Sequence, residues 1–176
     1  IAEYNYIAQT VFQANEDRAR VASFYLVSFG GFIAALFSAQ FDFSTKLQLV
    51  YWGFAGLFLA LALMGYLTLL QLARLRSAWF ESVKAMNQIK EYYIAKFPNL
   101  KSAFAWRGNT TPAKFKANSV GFYMVFQVAL LGGISLGAAV YFVIQAIFET
   151  VLLWPGISVG MLFALLQLYQ YRRMLK

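Results

Sequence analysis

Residues 47–73 read LQLVYWGFAGLFLALALMGYLTLLQLA, a stretch without one Asp, Glu, Lys or Arg. Buried helices of soluble proteins rarely pass about 14 uninterrupted apolar residues, whereas a bilayer crossing takes about 20. The stretch therefore predicts a membrane-spanning helix. Working outward, a similar run opens at Val21, and two more follow, from Val120 and from about Val151, with Glu149 the one charge at their join. The chain is 61% hydrophobic and 12% charged, against about 25% charged in an ordinary soluble domain. So few charges do not clothe a water-facing globule of 176 residues. The expected fold is an all-α integral membrane protein with four transmembrane helices.

Two stretches carry helical pattern beyond the runs. Tyr4, Ile7, Ala8, Val11 and Phe12 fall on one helical face, opposite Asn5, Gln9, Gln13, Glu16 and Asp17. Glu16 stands four residues before Arg20, a spacing that supports pairing. No breaker separates this stretch from Val21, so one helix is expected to pass from water into lipid. After the second run, Trp79, Val83, Met86, Tyr93 and Phe97 form a second apolar stripe, opposite Glu81, Lys84, Gln88 and Glu91. Pro98 should stop that helix at about Phe97. The chain thus divides into an amphipathic helix (1–20) and a first transmembrane hairpin (21–73), turning at residues 41–46. A basic, aromatic-rich segment (74–117), a second hairpin (118–171) and a short tail (172–176) follow. The amphipathic stretches are expected as cytoplasmic helical extensions before span one and after span two, able to pair with each other.

Charge placement predicts orientation. Arg18 and Arg20, the nine bases of the middle segment, and Arg172, Arg173 and Lys176 all fall on one side. Of 15 basic residues only Lys46 falls on the other. Short loops rich in Lys and Arg stay in the cytoplasm, so both termini and the middle segment are expected there, in a multi-pass protein of the cell inner membrane. The net charge of +8 is explained by this rule and does not imply nucleic acid. The start lacks the charged n-region and short apolar h-region of a cleavable signal.

The chain has neither Cys nor His, which excludes disulfides, thiolate chemistry, Cys/His zinc sites and His-ligated haem. No P-loop, GxGxxG or nucleophile-elbow pattern occurs, and the seven carboxylates do not pair convergently. No enzyme activity, cofactor or metal is expected. The spans hold no ionisable group for a proton or ion path, and the two hairpins show no repeat of the inverted-transporter kind. Asn109-Thr110-Thr111 matches a glycosylation sequon, but on the cytoplasmic side it would go unused.

Three features are candidates for contact. Gly133–Gly137 and Gly156–Gly160 are GxxxG motifs, and Gly56–Ala60 is a small-residue relative. Helices approach closely where Cβ atoms are missing, and packing within the subunit is favoured over contact between subunits. Gln127 is the one amide well inside a span and is expected to hydrogen-bond to a neighbouring helix. In the middle segment, Arg74, Arg76, Trp79, Lys84, Lys90, Trp106, Arg107, Lys114 and Lys116 mix bases with rings. Beside a bilayer this mixture fits anionic headgroups or a protein partner better than nucleic acid. Leu100, Phe104 and Trp106 are expected to dip into the interface or dock on a helix.

The order of elements over residues 3–97 (amphipathic helix, span, short turn, span, helix) resembles in layout the two-span membrane effector domains of bacterial nucleotide-signalled defence systems. The resemblance is one of layout, and the second hairpin departs from it. Taken together, the residues lead to the expectation of a non-catalytic accessory or scaffold subunit of a bacterial membrane assembly. Its partners would be membrane lipids, other membrane subunits or further copies of itself. The second expectation is a homo-oligomeric pore-forming or membrane-disrupting effector with a cytoplasmic sensing region. A membrane enzyme using Glu16, Glu81 or Glu91 ranks last.

Overall fold

Charge-free runs without a breaker become uninterrupted helices. The structure, a computed structural model, describes residues 2–38, 47–104 and 107–176. It contains α1 (Ala2–Ser38), α2 (Leu47–Lys96), α3 (Val120–Phe148) and α4 (Trp154–Met174), with two short 3₁₀ turns, Pro98–Ser102 and Gly108–Thr110. The amphipathic stretches do continue into the first and out of the second run: α1 has 37 residues and α2 has 50. At 1.5 Å per residue they measure about 55 Å and about 75 Å. The turn expected at residues 41–46, with Asp42 and Lys46, lies outside the described residues.

Local chemistry sets the helix ends. Pro98 follows α2, whose last backbone bond runs from the Phe97 N–H to the Tyr93 carbonyl at 2.8 Å. Ser119 caps α3, its hydroxyl accepting from the Phe122 N–H at 3.2 Å. Such a cap satisfies a donor that the first helical turn leaves open. At the other end Glu149 closes the helix in the left-handed region, with φ 52°. Pro155 sits in the first turn of α4, where its missing N–H costs nothing.

The helices pack in chain order, α1 on α2, α2 on α3 and α3 on α4. α1 and α2 run antiparallel along most of their length. Thr10 Oγ1 donates to Ser82 Oγ at 3.3 Å, Tyr25 fills the notch at Gly65, and Phe32 meets Phe58 edge-on at 5.9 Å. One core, centred on Tyr25, Leu69, Leu72, Val125, Val128 and Tyr171, lies at the end where the chain becomes charged. The other, around Phe58, Leu61 and Ala139, lies toward the far end, with Phe58 stacked on Phe142 at 5.7 Å.

Three helices, α1, α2 and α3, are long and apolar enough to cross a membrane. The expected fourth span differs. α4 has 21 residues, but Trp154, Pro155, Gln167 and Gln170 dilute its apolar content. Along the three apolar helices large side chains point outward: Phe24, Val27, Leu59, Leu63 and Ile134 are all exposed. Water-soluble monomers rarely expose contiguous apolar surface of this kind.

Candidate functional site

The segment after residue 73 is organised by α2. Arg76 is half-buried, its Nε donating to the Lys114 carbonyl at 3.0 Å and Nη2 to the Ala113 carbonyl at 3.3 Å. The same guanidinium lies 4.2 Å from the centre of the Trp79 ring. Arg76, Trp79 and Lys114 therefore form one structural clasp that holds the loop before α3 onto α2. A second clasp lies farther along. Asn87, 3% exposed, donates from Nδ2 to Thr111 Oγ1 at 2.6 Å, and the Gly108 N–H donates to Glu91 Oε1 at 3.3 Å. Asn87 and Glu91 are one helical turn apart, so a single face of α2 grips residues 107–111.

Around the first clasp basic charge gathers. Arg18 of α1 presses on Gly121 at the start of α3, and its Nε is buried without a hydrogen-bond partner. Burial pulls the Arg18 guanidinium below its ordinary range, and the nearby Tyr171 works against that pull. Arg76 is lowered by burial first and by Arg18 second, with Tyr171 opposing. Phe115 closes the same end, edge-on to Phe122 at 5.9 Å and to Tyr171 at 6.4 Å, under the Arg172 guanidinium at 5.7 Å. These contacts tie α1, α3, α4 and the loop into one plug.

The remaining predicted contact residues are scattered. Arg74 is exposed beside Arg20 of α1 in a groove of about 540 Å³. Lys84 and Lys116 are exposed, and Lys90 lies 6.0 Å from the Phe104 ring. Arg107 is half-buried, with Nε buried and unpaired, while its backbone N–H donates to Thr110 Oγ1 at 2.8 Å. Trp106 lies outside the described residues. Leu100 and Phe104 lie against α2. With Tyr4, Ile7, Ile89 and Tyr93 they line a cleft of about 950 Å³ between the first turns of α1 and the last turns of α2. Tyr92, Phe97 and Tyr6 are exposed on the same projection.

The four motif glycines of α3 and α4 face one another. A Cβ built at Gly133 would stand 2.7 Å from the Gly160 carbonyl oxygen, and one at Gly160 would stand 2.5 Å from that of Gly133. Gly137 and Gly156 match in the same reciprocal way, at 2.7 and 2.6 Å. The two backbones touch, a geometry that favours Cα–H···O contacts. Gly56 and Ala60 behave otherwise: both are exposed, and nothing lies within 4 Å of a Cβ at Gly56.

Gln127 too is exposed rather than bonded to a neighbouring helix, because the buried stripe of α3 runs through Val125, Val128, Ala129 and Gly132 and leaves residue 127 outside it. On α3 and α4 the buried amides are Gln145, donating to Tyr141 Oη at 3.2 Å, and Gln167, whose amide nitrogen and oxygen are both unpaired against Gly132. Sequence reading missed Asn87, Arg18 and Gln167. Asn87 left a faint signal, as an amide beside the apolar stripe formed by Val83 and Met86. Among the described residues no group of three or more His, Cys, Asp or Glu is placed to hold a metal ion. The arrangement offers docking surfaces. No protein-family model, curated protein or solved structure matches the chain.

Proposed function

We propose that this chain is a membrane-embedded, non-catalytic accessory or scaffold subunit, with α1, α2, α3 and the shorter α4 as its four spans and both termini in the cytoplasm of a bacterial inner membrane. The observation that carries the reading is helix length against bilayer thickness. A hydrocarbon core is about 30 Å thick, and α2 at about 75 Å extends far beyond it. The excess is a two-helix stalk, paired with the start of α1 and carrying the apolar cleft at its tip. An apolar cleft with exposed rings around it, held well away from lipid, is the kind of surface that receives a protein partner. The plug of Arg18, Arg76, Phe115 and Tyr171 fixes the stalk to the bundle.

Gentle detergent extraction followed by mass measurement tests the proposal. The expected result is a complex larger than the chain, lost on Leu100→Asp or Tyr93→Asp. A lone monomer with no associated subunit counts decisively against it. Because the chain has no cysteine, single cysteines at Ser82 and Thr150 report orientation. Ser82→Cys should be shielded from an impermeant thiol reagent in intact cells and Thr150→Cys labelled.

One observation favours a second reading, a homo-oligomeric pore or membrane-disrupting effector. Gln127 presents an amide on an exposed face of an apolar helix, where copies assembled around a lumen would hydrate it. Reconstituted vesicles that stay sealed with and without added cytoplasmic partner would dispose of that reading.

A further inference from the structure

Where α1 and α2 leave their charge-free runs, each carries an arginine, Arg20 next to Val21 and Arg74 next to Ala73, offset by about one helical turn along the pair. The antiparallel pairing that sets Tyr25 against Gly65 brings these two together. They line one groove of about 540 Å³ with Asp17, Leu67 and Gln71. An adjoining groove of about 600 Å³ shares Arg20, Leu67 and Gln71 and continues along Phe24 and Leu63. The result is one channel on the outer face of the helix pair. It is polar at the end where the helices leave the apolar runs and apolar for the rest. From Gln71 to Leu63 it descends about 12 Å along α2. Neither guanidinium makes a hydrogen bond or ion pair with the described residues. Asp17, level with Arg74 across the pair, is the one carboxylate lining the two grooves, against two guanidiniums, and Glu16, spaced to pair with Arg20, makes no ion pair with it.

We propose that this channel is a binding site for an anionic phospholipid, the phosphate held by Arg20 and Arg74 and one acyl chain lying along Phe24, Leu63 and Leu67. Charge complementarity selects this occupant. Two unpaired guanidiniums at the headgroup level attract a phosphate that carries net charge, and each basic group near such a headgroup is worth about fivefold in binding. The apolar slot beneath them has the depth and chemistry for a hydrocarbon chain and none for a soluble anion. Arginine suits the task because its planar donors match phosphate oxygens two at a time. The inference rests on the membrane-spanning reading and is independent of the scaffold role.

The test uses the full chain, delipidated in mild detergent and titrated with phosphatidylglycerol or phosphatidylcholine of identical acyl chains, bound lipid being read by native mass spectrometry. The wild type should prefer phosphatidylglycerol by at least fivefold. Arg20→Gln with Arg74→Gln should abolish the preference, while Lys84→Gln with Lys101→Gln, an equal loss of charge away from the groove, should leave it. Leu67→Trp, at an exposed groove wall, should weaken binding of both lipids by filling the slot.

Equal retention of the two lipids by the wild type, or a preference that survives loss of both arginines, would overturn the proposal. Displacement of the lipid by millimolar glycerol phosphate would overturn it in favour of a free phosphate anion. Resistance of the chain to alkaline carbonate separates the two possible failures. A carbonate-resistant protein without selectivity defeats the lipid site alone, and one that washes off defeats the spanning reading itself.

Discussion

Replacing Gly160 by Ala should loosen the α3–α4 crossing by a predictable amount. The new methyl would stand 2.5 Å from the Gly133 carbonyl oxygen and 3.3 Å from the Gly137 Cα, whereas ordinary contact begins at 3.4 Å. Both obstacles are backbone, so no side chain can swing aside, and the helices must part by about 0.9 Å. A gap of about 0.5–1 Å forfeits a quarter to a half of each dispersion contact, worth about 0.1–0.2 kcal/mol per atom pair. For a crossing comparable in contacts to one buried Leu, about 50 pairs, the loss is about 2 kcal/mol. This matches the range of about 1–3 kcal/mol for overpacked cores.

Denaturant unfolding in detergent, followed by circular dichroism, measures the effect. Two controls isolate the cause. Gly56→Ala meets nothing within 4 Å and should shift stability by less than about 0.5 kcal/mol. Gly121→Ala overlaps Arg18 more severely, yet only at the far end of a flexible side chain, so it too should cost little. Adding Gly133→Ala to Gly160→Ala should cost less than the sum of the two, since one separation relieves both clashes. Gly160→Ala unfolding within about 0.5 kcal/mol of wild type would refute the close crossing and the reasoning built on it.

Four further outcomes rest on local geometry. Gly65→Ala places a methyl 2.6 Å from the hydroxyl of the fully buried Tyr25 and should destabilise by about 1–3 kcal/mol. Tyr25→Phe, which removes a buried hydroxyl that faces Ser135 without a well-formed hydrogen bond, should change stability by less than about 1 kcal/mol and should recover part of the Gly65→Ala loss. A Tyr25→Phe variant that melts clearly earlier would refute this account. Glu149→Gly should raise stability by about 1 kcal/mol, because glycine closes a helix in the left-handed region without the strain a side chain incurs there. Asn87→Ala should cost about 1 kcal/mol and speed amide exchange in residues 107–111, whose hold on α2 it cuts. Unchanged exchange there would show that the Glu91 contact suffices.

Much of the architecture is legible in one dimension. The charge-free runs, the continuity of α1 through Arg20 and Val21 and the stop at Pro98 all depend on neighbours in sequence. The three strongly apolar helices and the length of α2 beyond its charge-free run follow from these signals alone. α4 forms where the fourth charge-free run lies, but its amides and its proline leave it less apolar than the other three helices.

Which face of each helix meets which neighbour was decided only by the tertiary structure. A helix bound for lipid is apolar all round, so its periodicity carries little information about facing. Hence Gly133–Gly137 and Gly156–Gly160 mesh while Gly56–Ala60 looks outward. For the same reason Gln167 is buried and Gln127 is not. The basic segment reads in sequence as one patch, yet packing divides it. Arg76 is spent on loop carbonyls, and Arg74 is left beside Arg20 at the mouth of a groove. Sequence by itself determined where each helix runs and where the charge accumulates, because those are local sums. Only the packing determined which of those charges are satisfied and which stay available, because a partner is set by three-dimensional proximity.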